Sequence, residues 1–213
     1  MNLAMPTSAK IIPKRNSSPE QLLQATSDIL MKRNSIEVSL SEISESSGLN
    51  SALIKYHFGS KSGLLLALVR RDAATALGQL DWLVKMSVPP AKKIRLHVAG
   101  IINTYIKYPY LNQLIHNLLT NSEEKITKEI ADFFVKPLVD SQLKILNEGV
   151  DQGVFRRVDP MFFYYSIVGA CDHLFFGRYS RKFVYGVDEI TPTMKEAYIE
   201  FVSELALGAL RKE

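Results

Sequence analysis

Apolar residues along this chain recur three and four positions apart, and nowhere do they sustain a period-two alternation bounded by turn signals. That pattern leaves little room for a sheet and predicts an all-α chain. Glycine and proline supply the punctuation. Ser18-Pro19-Glu20 reads as a helix start, and Leu22, Leu23, Ala25, Ile29 and Leu30 then follow at helical spacing to about Arg33. Ser39 and Glu42 have the spacing of a capping box, and Gly48 ends the short helix they open. Asn50 is placed to cap a third helix running through His57. Gly59-Ser60 breaks it and recaps a fourth, from Lys61 to about Met86, ahead of Pro89-Pro90. Further helices are expected at 91–107, 110–120, 123–134, 137–152, 160–179 and 192–211, with Pro137, Gly153 and Pro160 as breaks and Asp159 as a cap. Residues 1–17 lack periodicity and contain two prolines, the pattern of a disordered, mildly basic arm.

The 213 residues allow either one large domain or a small and a medium one, with a core large enough to need no staples. The single cysteine, Cys171, rules out an intramolecular disulfide framework and fits a reducing, cytoplasmic compartment. No secretory leader is visible, and the most apolar stretch, Met161 to Phe176, is interrupted by Asp172 and His173. The net charge of +4 is uneven. Residues 1–71 carry nine Lys and Arg against five Asp and Glu, which accounts for the whole excess, and the rest of the chain is neutral. A basic N-terminal third points to a polyanion partner.

Short helix, glycine turn and short helix, as at 39–58, is the layout of a helix-turn-helix, whose second helix enters the major groove of DNA. Leu40 and Ile43 are expected to point inward, as are Ile54 and Phe58 one turn apart. Ser51, Ala52, Lys55 and Tyr56 are then left on the outer face. Short polar groups at the helix start, followed by a cation and a phenol, suit groove contacts.

The run from Leu40 through Lys61 to Leu65 resembles the DNA-binding signature of the TetR family, most specifically at Tyr56-His57-Phe58-Gly59-Ser60-Lys61. The resemblance implies a helix-turn-helix domain at 18–65 and a helical effector-binding and dimerisation domain at 66–213. The function it implies is a sequence-specific repressor of transcription, released from operator DNA by a small molecule. It implies phosphate contact by Lys61 at a helix start, backbone contacts by Tyr56 and His57, and base reading by Ser51, Ala52 and Lys55. Ser39 and Ser41 fall where the family often contacts a phosphate. Two positions depart from the pattern: Lys55 replaces a tyrosine and Leu53 a threonine. Ser44 and Ser47 stand for two alanines, still small, with hydroxyls able to bond the backbone.

In the family the C-terminal domain holds a ligand and dimerises through its last two long helices, here 160–179 and 192–211. Ile167, Ala170, Leu174, Tyr198, Phe201, Val202, Leu205 and Ala209 are the candidate interface residues. Trp82, Met86, Tyr105, His116, Phe133, Phe134, Phe163 and His173 are candidates to line a pocket, being aromatic, soft or polar groups on the middle helices. No cofactor or metal is expected, and neither is an enzyme. His97, His116, Cys171 and His173 are the plausible reactive groups, and Cys171 and His173 are two apart on a helix, pointing to opposite sides. A helical adaptor that binds protein through its basic end is the alternative class, separable by salt-steep binding to duplex DNA.

Overall fold

The computed structural model describes residues 17–33 and 35–212, so the arm expected at 1–17 lies almost wholly outside the described residues. The described residues are helical throughout and contain no strand. In chain order the helices are α1 (Ser18–Arg33), α2 (Leu40–Ser47), α3 (Ala52–Phe58), α4 (Lys61–Lys85), α5 (Pro90–Lys107), α6 (Leu111–Asn121), α7 (Glu124–Ile130), α8 (Lys136–Asp151), α9 (Pro160–Phe176), α10 (Arg178–Phe183) and α11 (Pro192–Leu210).

The first three helices pack on one another and on the start of α4 around Leu22, Leu30, Val38, Ile43, Ile54 and Leu64. Local chemistry fixes their ends. The Ser39 hydroxyl accepts from Glu42 N–H, and the Glu42 carboxylate accepts from Ser39 N–H at 2.7 Å, which completes the capping box. Gly48 closes α2 at φ 67°, the left-handed conformation that only a residue without Cβ adopts freely. Ser44 donates to the Leu49 carbonyl at 2.5 Å, and Ser47 donates to the Ser44 carbonyl, so both hydroxyls bond the backbone. Gln21 of α1 satisfies the carbonyl of Ser47 at 2.7 Å. Asn50 receives Ala52 N–H at 2.8 Å, and Ser60 receives Gly63 N–H at 3.0 Å to start α4. Leu40 corrects the sequence reading: it is 41% exposed, because the box puts it at the first helical position, and Ile43 and Ser47 take the inward face.

The second half is built around α4 and α5. Helix α4 runs through the expected boundary at residue 65 and touches both halves, packing on α1 and α3 at one end and on α5, α6 and α8 at the other. Helix α5 is flanked by α4, α8, α9 and α11.

Two helix boundaries differ from the sequence reading. Pro137 does not separate two helices. Residues Ala131–Val135 form a π-helical segment joining α7 to α8, with Lys136 N–H donating to the Ala131 carbonyl five residues back. Proline has no N–H to offer Phe133, and the wider turn absorbs that loss without breaking the rod. The helix expected at 160–179 ends at Phe176, and α10 follows as a separate short helix after Gly177.

Candidate nucleic-acid interface and ligand cleft

Around the α2–α3 unit, burial sorts the side chains by face. Ile54 is buried and Phe58 packs against the core, while Ala52, Lys55, Tyr56 and His57 are exposed and Ser51 is half-buried. Tyr56 is the extreme, at 81% exposed, with its ring edge-on to His57 at 4.8 Å. Its ring and hydroxyl are thus both open to contact from outside. Lys61 stands exposed at the first turn of α4, where free backbone N–H groups and the helix dipole favour an anion beside its ammonium. Ser39 is engaged in the cap, donating to Glu42 at 2.8 Å, and Ser41 lies 3.0 Å from it on the exposed side. Arg33 and the Ser39 amide hold the Glu42 carboxyl at about 2, so the cap stays ionised.

Gly63 was not singled out in the sequence, although it decides how α3 meets α4. A Cβ there would lie 2.0 Å from the Phe58 carbonyl oxygen, so the end of α3 rests directly on the backbone of α4. The only signal in the sequence was its place two residues after Lys61.

A half-open cleft of about 320 Å³ lies between α4 and α5, closed on one side by Phe134 and Leu138. Of the eight pocket candidates, Trp82, Met86, Tyr105 and Phe134 line it. Trp82, the only tryptophan, is 64% exposed. The other four lie elsewhere. His116 is 3.1 Å from Asp172, Phe133 carries the Arg70 guanidinium 4.5 Å above its ring, Phe163 is core, and His173 is exposed on α9. Equal spacing along a helix does not say which neighbour a side chain meets, and these four turn away from the α4–α5 seam. His97, weighed in the sequence only as a reactive group, does line the cleft. It is buried, with Nε2 2.9 Å from the Gln142 side-chain amide nitrogen, and burial pushes it down to about 4.

On α9 and α11 a large apolar face is open: Phe162, Tyr165, Phe201 at 67% and Leu205, with Ala209 beside them. Tyr179, Phe183 and Tyr185 of α10 and the segment after it are exposed as well. Two of the proposed interface residues are corrected. Ile167 is 2% exposed and Val202 1%, both facing the chain's own core. Tyr198 donates to the Ala170 carbonyl at 2.9 Å and ties α11 to α9 internally, and Ala170 and Leu174 are half-buried. A helix covered on one side can present only the opposite stripe, which here is 162, 165 and 169 on α9 and 197, 201, 205 and 209 on α11.

Among the described residues no three His, Cys, Asp or Glu side chains gather as a metal site, and no helix is long and apolar enough to cross a membrane. Cys171 is buried, with its thiol pushed up to about 12, and His173 is exposed on the other side of α9.

Residues 22–68 match the model for bacterial regulatory proteins of the tetR family, and residues 87–211 match that for a tetracyclin repressor-like C-terminal domain. No curated protein sequence matches the chain. Among solved structures, the transcriptional regulator FadR from Bacillus subtilis in complex with stearoyl-CoA superposes with a TM-score of 0.70 at 16% identity, over 90% of this chain and 99% of that one. A TetR/AcrR-family regulator from Thermobifida fusca gives 0.68 at 19% identity, over 92% and 100%. The TetR-family regulator PfmR from Thermus thermophilus gives 0.69 at 15%, over 90% and 99%. At such identities the likeness is one of fold.

Proposed function

From the premise that this chain belongs to the TetR family of bacterial regulatory proteins, and is a DNA-binding transcriptional regulator rather than an enzyme, we propose that it acts as a homodimeric repressor that a small molecule releases from its operator. One observation carries the coupling. Helix α4 is a single unbroken rod with Lys61 at one end, while its residues 76–83 wall the cleft near the other. A ligand entering the cleft pushes on the same rod that seats α3 through Gly63. Packed helices shift as bodies, so a small displacement at the cleft becomes a change in the pose of α3.

In this reading Ser51, Ala52 and Lys55 read base edges, while Tyr56, His57, Lys61 and the exposed Ser39–Ser41 corner meet phosphates. The uncovered apolar stripes of α9 and α11 support pairing with a second copy into a four-helix bundle, since monomers rarely leave such a patch in water. Two-fold symmetry then sets two copies of α3 against two half-sites of the operator. The stearoyl-CoA bound by FadR supports a small-molecule effector in this fold.

Pulsed electron resonance tests the geometry. A spin label is placed at Ser46→Cys, on the exposed side of α2, while the buried thiol of Cys171 stays unlabelled. A single distance compatible with half-sites roughly 34 Å apart, or a multiple of that, is expected. Absence of any inter-copy distance would contradict the dimer.

A further inference from the structure

The α4–α5 cleft is walled without a formal charge. Among the described residues no Lys, Arg, Asp or Glu lines it. Its imidazole, His97, is held neutral by burial, and burial likewise keeps the Tyr105 phenol protonated. Of the charges near it on α4 and α5, Lys85 pairs with Asp81 at 2.6 Å, Lys93 with Glu148 at 2.7 Å and Arg95 with Glu200 at 2.8 Å, while the exposed Lys92 and Lys107 do not line it. A charged group entering this wall would lose its water and find no counter-ion among the lining residues.

An unsatisfied polar spot lies just behind the wall. Gln142 does not line the cleft itself, but its side-chain amide nitrogen is 2.9 Å from the lining His97, and its Oε1 is buried with no partner. Thr104, by contrast, spends its hydroxyl on the Gly100 carbonyl at 2.7 Å. Buried polar groups are nearly always satisfied, and a neutral amide beside a neutral imidazole is completed by a hydroxyl that both donates and accepts. At about 30 Å³ for a water-sized group, the cleft takes on the order of ten non-hydrogen atoms.

We infer that the effector class of this cleft is an uncharged, mainly apolar molecule of about that size, bearing a hydroxyl or comparable neutral group read at His97, which Gln142 bonds from behind the wall. It is neither a carboxylate, nor an amine, nor a coenzyme A ester. This rests on the proposal that the cleft is the effector site, and it names the ligand's chemistry.

The sole tryptophan, Trp82, lines the cleft and reports on it directly. The full-length protein, without DNA, is titrated at neutral pH with 1-decanol, decanoate and decylammonium while the Trp82 emission is followed. Decanol is expected to saturate the signal roughly tenfold or more below either ion, the difference of one hydrogen bond and one uncompensated charge. Gln142→Leu is expected to weaken decanol by the share of one hydrogen bond, roughly fivefold, and to leave the two ions unchanged. His97→Phe provides the same test should that variant not fold. Decanoate or decylammonium binding as tightly as decanol would overturn the inference, as would a decanol affinity that both substitutions leave unchanged. No saturable change with any of the three would overturn the cleft as a site for small amphiphiles. Operator binding and the inter-copy distance are read in separate experiments, so a failure here leaves them standing.

Discussion

Tyr110, at the start of α6, donates its phenolic hydrogen to the Asp72 carboxylate of α4. Its single O–H being used there, the Ser27 hydroxyl of α1, 2.8 Å away, must donate to Tyr110 in turn. Arg71 closes the chain with a 2.8 Å bond to the other oxygen of Asp72. Burial and the adjacent carboxylate push the phenol above its ordinary range, so it stays a donor. Three helices from both halves of the molecule therefore meet at one buried carboxylate.

Tyr110→Phe keeps the ring in place and removes the donor to Asp72. Hydrogen bonds to a charged group contribute roughly 1.5–3 kcal/mol, and a loss in that range is expected in urea unfolding. A change below about 0.5 kcal/mol would mean that Arg71 alone satisfies the carboxylate.

Gly63→Ala sets a methyl group where the Phe58 carbonyl oxygen now sits. The neighbour is backbone, so α3 must move. A cost of about 1–3 kcal/mol is expected, together with weakened operator binding beyond what thermal melting explains. Unchanged DNA affinity would show that the α3–α4 junction tolerates the shift.

His97 is held at about 4 when folded, against an unfolded value near 6.5. The unfolded chain therefore takes up the proton first. The stability contribution is complete above about pH 6.5 and is lost as pH falls from there toward 4, amounting to about 3 kcal/mol. Comparing the wild type with His97→Gln removes the carboxylate background. The stability difference is expected to move by that amount in the variant's favour between pH 7 and pH 4, whereas a constant difference would contradict a neutral, buried imidazole.

Phe201→Glu places a charge in the centre of the open α11 stripe. Buried against a second copy it would have no counter-ion, and the dimer is expected to dissociate to monomers in light-scattering chromatography, with operator binding lost as well. Val202→Ala, which faces inward, is expected to lower stability by about 1.5–3 kcal/mol and leave the dimer intact. A dimer that survives Phe201→Glu places the interface elsewhere.

The parts legible in the sequence were those written in local chemistry. The capping box at Ser39–Glu42, the turn at Gly48 and the restart at Ser60 need only neighbours three or four residues away, and the structure forms all three. What escaped depends on which helix lies opposite. Leu40 is apolar and was read as inward, although its place at the helix start turns it out. Ile167 and Val202 carry the same periodicity as Phe201, and only the packing of α9 and α11 on the core separates buried stripe from open stripe. Pro137 looked like a break because a local rule cannot anticipate a π turn. The Ser27–Tyr110–Asp72 network joins residues up to 83 positions apart, with no local signal to find it.

The central claim, that the α3 face and the start of α4 grip duplex DNA, is tested most directly by binding to a duplex from the chain's own upstream region over a range of salt, with Lys61→Ala beside the wild type. Saturable, competitor-resistant binding with two chains per site is expected. The slope of log affinity against log salt is also expected to fall by about one in the variant, the signature of one lost phosphate contact. Binding that is absent at low salt, or a salt slope that Lys61→Ala leaves unchanged, would contradict that claim.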